Sequence, residues 1–189
     1  MREIRTIAVI GAGPAGAAIA ELAALGGFRT ILEDILPASL RRAKVEIHDR
    51  LNAAVGAGSV GKKAADAALS RLEFATSLED AAREADMVIE AVPDEFDSKE
   101  EIFRLLDRIC RPGTLLVASS ASLRVSDIAA ITERPADIVG MRFCADRPGG
   151  TIEVIAGIHS SEENVQRALA IARRMTSGPV VLAETTEPR

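Results

Sequence analysis

Three glycines, at positions 11, 13 and 16, have the first spacing in the chain that dictates a chemistry. The segment Gly11-Ala12-Gly13-Pro14-Ala15-Gly16 follows a short apolar run, Ile4–Ile10, and opens a stretch of small residues, Pro14–Leu25. In a strand–turn–helix context each glycine has a task. Gly11 permits the tight turn, Gly13 lets a diphosphate approach the backbone, and Gly16 lets helix and strand pack closely. Pro14 suits the first helical position, where its missing N–H costs nothing. The free N–H groups around Ala15 and the helix dipole then attract the diphosphate of a dinucleotide. Asp34 follows near the offset of about 20 residues at which a carboxylate meets a ribose 2′-OH. Such a carboxylate repels a 2′-phosphate, so the expected cofactor is NAD rather than NADP. Glu33 competes for the role. Side-chain alternation lets only one of the two face the site, and Asp34 is the expected one.

The elements that must position these residues alternate along the chain. Expected strands are Ile4–Ile10, Thr30–Leu32, Leu72–Ala75, Met87–Val92, Leu115–Ala118, Ile138–Phe143, Thr151–Ala156 and Val180–Ala183. Expected helices are Pro14–Leu25, about Pro37 to Val55, a second stretch to about Arg71, Phe96–Ile109, Val125–Ile131, and one capped at Ser160-Ser161 and running to about Met175. This pattern predicts one α/β domain over residues 1–189, Rossmann-type and doubly wound. Its mainly parallel sheet has about eight strands. The helices on either side of Gly56-Ala57-Gly58-Ser59 should form a helical hairpin protruding from the sheet. The connection after Ile138–Phe143, around Asp146-Arg147-Pro148-Gly149-Gly150, is too short for a parallel crossover, so an antiparallel hairpin is expected near the end.

Composition excludes several classes. The chain carries a formal charge of −5 and no basic stripe, so no nucleic-acid partner is expected. The one basic run, Arg41-Arg42-Ala43-Lys44, is expected to be a solvated helix face. No apolar run approaches the ~20 residues of a membrane span. Cys110 and Cys144 form no CxxC pair and are expected to be buried free thiols in a reducing compartment, with the cytoplasm as the default location. His48 and His159 have no metal-ligand spacing, and no metal is expected.

Other enzymes share parts of the glycine turn. FAD-dependent oxidoreductases open in a similar way but need further segments to hold a flavin. S-adenosylmethionine-dependent methyltransferases use a looser version. Glu90-Ala91-Val92-Pro93-Asp94-Glu95-Phe96, with Lys99 and Phe103, makes the chain resemble the NAD-binding domain of 3-hydroxyacyl-CoA dehydrogenases. Arg134-Pro135 before Ile138-Val139-Gly140, then Ile152-Glu153-Val154-Ile155 and Pro179-Val180-Val181, extend the resemblance over almost the whole chain. It implies an oxidoreductase fold of fatty acid metabolism, and it adds Glu90 and Lys99 to the cofactor-binding residues.

The family's catalytic pattern is similar to Ser-Asn-Thr-Ser-Ser-Leu and His-Phe-Phe-Asn-Pro. Here those segments read Ala118-Ser119-Ser120-Ala121-Ser122-Leu123 and Arg142-Phe143-Cys144-Ala145-Asp146. The resemblance places the catalytic serine on Ala121, the histidine on Arg142 and the asparagine on Ala145. Only the glutamate that orients the histidine is retained, as Glu153. A guanidinium with a pKa above ~12 cannot take a proton from a hydroxyl, although Arg142 could pair with Glu153. Ser120 or Ser122 could stand in for the lost hydroxyl, though each lies one step off. The chain also stops where the family's helical C-terminal domain, which covers the substrate and carries the dimer contact, would begin. The resulting expectation is an NAD-binding protein with little or no dehydrogenase activity alone. The alternative is an NAD-dependent 3-hydroxyacyl-CoA or hydroxy-acid oxidoreductase completed by a separate helical-domain chain, with Arg142 gripping a carboxylate. Expected partners are NAD(H) and an acyl-CoA or that second chain.

Overall fold

A computed structural model describes residues 3–119, 125–144 and 150–184. They form an eight-stranded sheet in the order β3-β2-β1-β4-β5-β6-β7-β8. The strands are β1 (Thr6–Ile10), β2 (Arg29–Glu33), β3 (Leu72–Ala75), β4 (Met87–Glu90), β5 (Leu115–Ala118), β6 (Ile138–Cys144), β7 (Thr151–Ala156) and β8 (Val180–Glu184). All neighbours pair in parallel except β6 and β7, which are antiparallel with Arg142 opposite Glu153. The helices are α1 (Pro14–Leu25), α2 (Pro37–Gly56), α3 (Lys62–Arg71), α4 (Leu78–Ala82), α5 (Phe96–Ile109), α6 (Val125–Ala130) and α7 (Glu162–Met175), with a 3-10 turn at Pro135–Asp137. The expected doubly wound architecture and antiparallel hairpin are present.

Strands β1, β4 and β5 are buried along their whole length. Their near-continuous apolar composition follows from helices lying on both faces. Side-chain alternation divides the core in two. Ile7, Val9, Met87, Ile89, Leu115 and Val117 face α1, α2, α3 and α7. Ala8, Ile10, Val88, Leu116 and Ala118 face α4, α5 and α6.

Helix α1 buries Gly16, Ala17, Ala20, Ala23 and Ala24. These small residues let it lie close to the sheet, and Gly26 and Gly27 end it, Gly27 at φ 91°. The helical hairpin is seated on α1 by Leu40, Ala43, Ile47 and Leu51, which recur at helical spacing on one face of α2. Arg41, Arg42 and Lys44 point to solvent while Ala43 turns inward, so the basic run is a solvated face. Several boundaries differ from expectation by one or two residues. Strand β1 begins at Thr6, after Ile4, and β4 ends at Glu90, because Ala91 and Val92 already belong to the turn beside the glycine loop. Strand β2 extends through Glu33.

The strand order reverses between β1 and β4, with β2 and β3 running to one side and β5 and β6 to the other. A crevice opens outside the carboxyl ends of strands at such a point.

Candidate functional site

The glycine turn leaves the carboxyl end of β1 with Gly11 at φ 104°, a left-handed conformation that favours glycine. A Cβ on Gly11 would also lie 2.8 Å from the Ala91 carbonyl oxygen, and one on Gly16 would lie 1.8 Å from the Gly11 carbonyl oxygen. Gly13 differs. A Cβ there meets nothing within 4 Å and would stand in open space. Gly13 is also the N-cap of α1. It has no side chain to occupy the helix N–H groups, Pro14 is in the first turn, and no acidic residue is present there. The turn therefore keeps open space and free donors where a diphosphate would sit.

Asp34 is fixed against this turn. One carboxylate oxygen accepts from the Ala12 N–H at 2.9 Å and the other from the Leu36 N–H at 2.9 Å. The Gly11 N–H donates to the Glu33 carbonyl at 2.8 Å. The end of β2 is thus bolted to the glycine loop by backbone and side chain together. Glu33 itself is 6% exposed and accepts no side-chain hydrogen bond among the described residues. Burial, then the neighbouring Asp34 charge, pushes its carboxyl up to about 7. Of the two rivals, Asp34 is the one whose side chain meets the glycine turn.

Glu90 and Lys99 are each 0% exposed and meet one another. The Lys99 ammonium lies 2.7 Å from both Glu90 oxygens, donates to the Ser119 carbonyl at 3.0 Å, and stands 3.6 Å from Asp94. Glu90 also accepts from the Val92 N–H at 2.8 Å. Burial raises the Glu90 carboxyl, while Lys99 and the Val92 N–H oppose that rise. The pair ties β4, its following turn, α5 and the end of β5 into one block. The residues of this group that reach the crevice are Ala91, Val92, Asp94 and Ser119.

The crevice is a cleft of about 1200 Å³ that runs from Ala15 across the sheet to Arg142 and Cys144. Arg142 NH1 donates to Glu153 at 2.7 Å. The two side chains face each other across the β6–β7 ladder, in a single hydrogen bond rather than a two-bond fork. Cys144 is half-buried and lines the cleft, which corrects the expectation that both thiols are buried. It falls at the outer end of β6, where helices no longer cover the sheet. Cys110 is buried on α5's side of the sheet, and its thiol is pushed up to about 11, chiefly by burial. Ser120, Ala121, Ser122 and Ala145 lie outside the described residues.

Two parts of the site escaped the sequence reading. Asp94 was visible within the Glu90–Phe96 segment but not as a cleft residue. The far wall carries Glu21 and Arg50, paired at 2.6 Å. They lie on different helices, and no local pattern joins them.

The description "3-hydroxyacyl-CoA dehydrogenase, NAD binding domain" belongs to a family model that matches residues 6–185. The chain belongs to the 3-hydroxyacyl-CoA dehydrogenase family. The residues matched are those of its NAD-binding domain, so the cofactor is NAD. A probable 3-hydroxybutyryl-CoA dehydrogenase from Bacillus subtilis (strain 168) is 35% identical over 174 residues, covering 92% of this chain and 60% of the relative. The 3-hydroxyadipyl-CoA dehydrogenase of Escherichia coli (strain K12) is 34% identical over 95% of this chain and 38% of its own length. The crystal structure of a 3-hydroxybutyryl-CoA dehydrogenase from Escherichia coli K12 superposes with a TM-score of 0.91 at 32% identity, covering 98% of this chain and 39% of that one. The chain therefore spans about 60% or less of the length of these relatives. Among the described residues, no helix is long and apolar enough to cross a membrane, and no cluster of His, Cys, Asp or Glu could hold a metal.

Proposed function

We propose that this chain binds NAD(H) across the glycine turn and, by itself, performs little or no oxidation of 3-hydroxyacyl-CoA. The turn, Pro14, Ala15 and the opening of α1 hold the diphosphate, and Asp34 holds the adenosine ribose. Glu90 and Lys99 contribute by fixing the floor on which Ala91, Val92 and Asp94 stand. Bound NAD would supply a hydride acceptor. What the chain lacks is a proton acceptor at the matching place. The observation that carries this reading is Arg142, bonded to Glu153 at 2.7 Å. The family resemblance puts a histidine at that position. An imidazole titrates near pH 6.5 and can take a hydroxyl proton, whereas a guanidinium stays protonated. Glu153 is retained, but the group it orients can donate hydrogen bonds and cannot accept them.

The second reading is an oxidoreductase of fatty acid metabolism, completed by a separate helical-domain chain. The open apolar wall of the cleft favours it. Leu22, Leu25 and Val60, all half-buried, line that wall, and burying them further would stabilise such a contact. In either reading residues 1–189 act as one NAD-binding domain. The two unpaired thiols suit a reducing compartment such as the cytoplasm.

The test has two arms. NADH fluorescence is followed during titration, with NADPH in parallel. The proposal expects saturable binding of NADH and weaker binding of NADPH, because Asp34 repels a 2′-phosphate. NAD is then offered with 3-hydroxybutyryl-CoA, and NADH formation should stay at background. Absence of saturable NADH binding, or steady NADH formation by the chain alone, would overturn the proposal. Turnover that appears only with an added helical-domain chain would establish the second reading.

A further inference from the structure

Arg142 spends little of its binding capacity within the protein. A guanidinium carries five N–H donors, and its Nε and NH2 groups form the side edge that matches both oxygens of a carboxylate. This chain uses that edge elsewhere. Arg29 presents Nε and NH2 to the two oxygens of Glu73, both at 2.7 Å. At Arg142 the only hydrogen bond among the described residues runs from NH1 to Glu153. The Nε/NH2 edge has no partner there. The side chain is 43% exposed and lines the cleft that also holds Ala15 and the glycine-turn end of α1.

The surroundings suit a second anion. Glu153 engages only one nitrogen, so it orients the plane without covering the fork. The described acidic residues lining the cleft are both countered: Asp94 stands 3.6 Å from the Lys99 ammonium and Glu21 is paired with Arg50 at 2.6 Å. Ser119 and Cys144, both small, line the same cleft. Arg142 sits near the carboxyl end of β6, beyond β5, on the same edge of the sheet as the crevice at β1 and β4.

We propose that Arg142, oriented by Glu153, is the receptor for the carboxylate of a small oxo or hydroxy acid bound beside the nicotinamide end of the cofactor. This rests on the reading that the chain binds NAD(H), and it names the ligand class that the cleft takes. A thioester would offer the fork one neutral carbonyl oxygen where a free carboxylate offers two charged ones. The fork therefore selects the acid over its thioester.

Acetoacetate and its uncharged counterpart acetoacetamide test this by calorimetric titration, each against the apo chain and against the NADH-loaded chain. Acetoacetate should bind saturably, and acetoacetamide at least about tenfold more weakly, since charge-assisted hydrogen bonds are the strong ones. The arginine Nε–H resonance of Arg142, followed by NMR, should shift on addition of acetoacetate. Arg142→Gln should weaken acetoacetate binding by at least about tenfold while leaving acetoacetamide and NADH binding unchanged. Arg142→Lys keeps the charge without the planar fork and should recover only part of the affinity. Glu153→Gln should weaken binding less than Arg142→Gln does. Arg142 is on an exposed hairpin position, and unchanged melting of these variants shows that folding is not the cause. Equal binding of the acid and the amide, or acetoacetate binding that survives Arg142→Gln, overturns the proposal. So does absence of saturable acetoacetate binding to both forms of the chain. Failure of NADH to bind would overturn the cofactor reading instead, and the apo titration separates the two.

Discussion

Gly13 and Gly16 stand three residues apart in one turn and make opposite demands. A methyl group on Gly16 would collide with the Gly11 carbonyl, whereas one on Gly13 would enter open space. Gly16→Ala is therefore expected to unfold the domain or lower its melting point sharply. Gly13→Ala should cost under about 1 kcal/mol of stability, as a small change at a helix N-cap, and yet abolish NADH binding measured by fluorescence. Asp34→Ala should weaken NADH by about 1.5–3 kcal/mol, the usual worth of a hydrogen bond to a charged group, and narrow the preference over NADPH. Both can be read from the same titration.

Glu33 gives the pH dependence. Its carboxyl is raised from an ordinary 4.5 to about 7 in the folded chain, so the folded state favours the protonated form. The stabilisation is complete below the unfolded value and is lost as pH rises through the folded one. Melting temperature should therefore fall from about pH 5 to about pH 8 by an amount that Glu33→Gln removes; the underlying free energy is at most about 3 kcal/mol.

At the scale of elements, the fully buried Lys99–Glu90 pair joins β4, α5 and the end of β5. Removing one partner leaves a buried charge uncompensated. Lys99→Met is expected to cost about 3–5 kcal/mol in urea unfolding, and adding Glu90→Leu to the same chain should return most of it.

Much at this scale was legible in the sequence. The glycine turn, α1 and the short link between β6 and β7 follow from local spacing, because a turn or helix is decided by residues within a few positions of one another. The ends of β1 and β4 differ from the sequence expectation because Ile4 and Ala91-Val92 are apolar for reasons of tertiary packing, not strand pairing. Lys99 read as a cofactor residue from family spacing. Only the folded chain shows its ammonium consumed by Glu90 and Ser119. Glu21 and Arg50 meet across two helices, a contact no sequence window contains.

At the scale of the whole molecule, the proposed cofactor site and the Arg142–Glu153 pair occupy separate parts of the sheet. The glycine turn and Asp34 lie at the β1–β2 side, whereas Arg142 lies three strands from β1 and Glu153 four. A change at β6 can thus remove the base and leave the nucleotide site whole. That separation is half legible in the sequence. The substitution at position 142 is plain in the sequence, whereas the single bond to Glu153 and the open edge of the guanidinium appear only in the fold.

One measurement bears directly on that separation. The chain is titrated with NADH to saturation by fluorescence, acetoacetyl-CoA is added, and NADH absorbance is followed. Saturable binding followed by unchanged absorbance is the predicted result. Steady loss of NADH after acetoacetyl-CoA is added to the chain alone would contradict it.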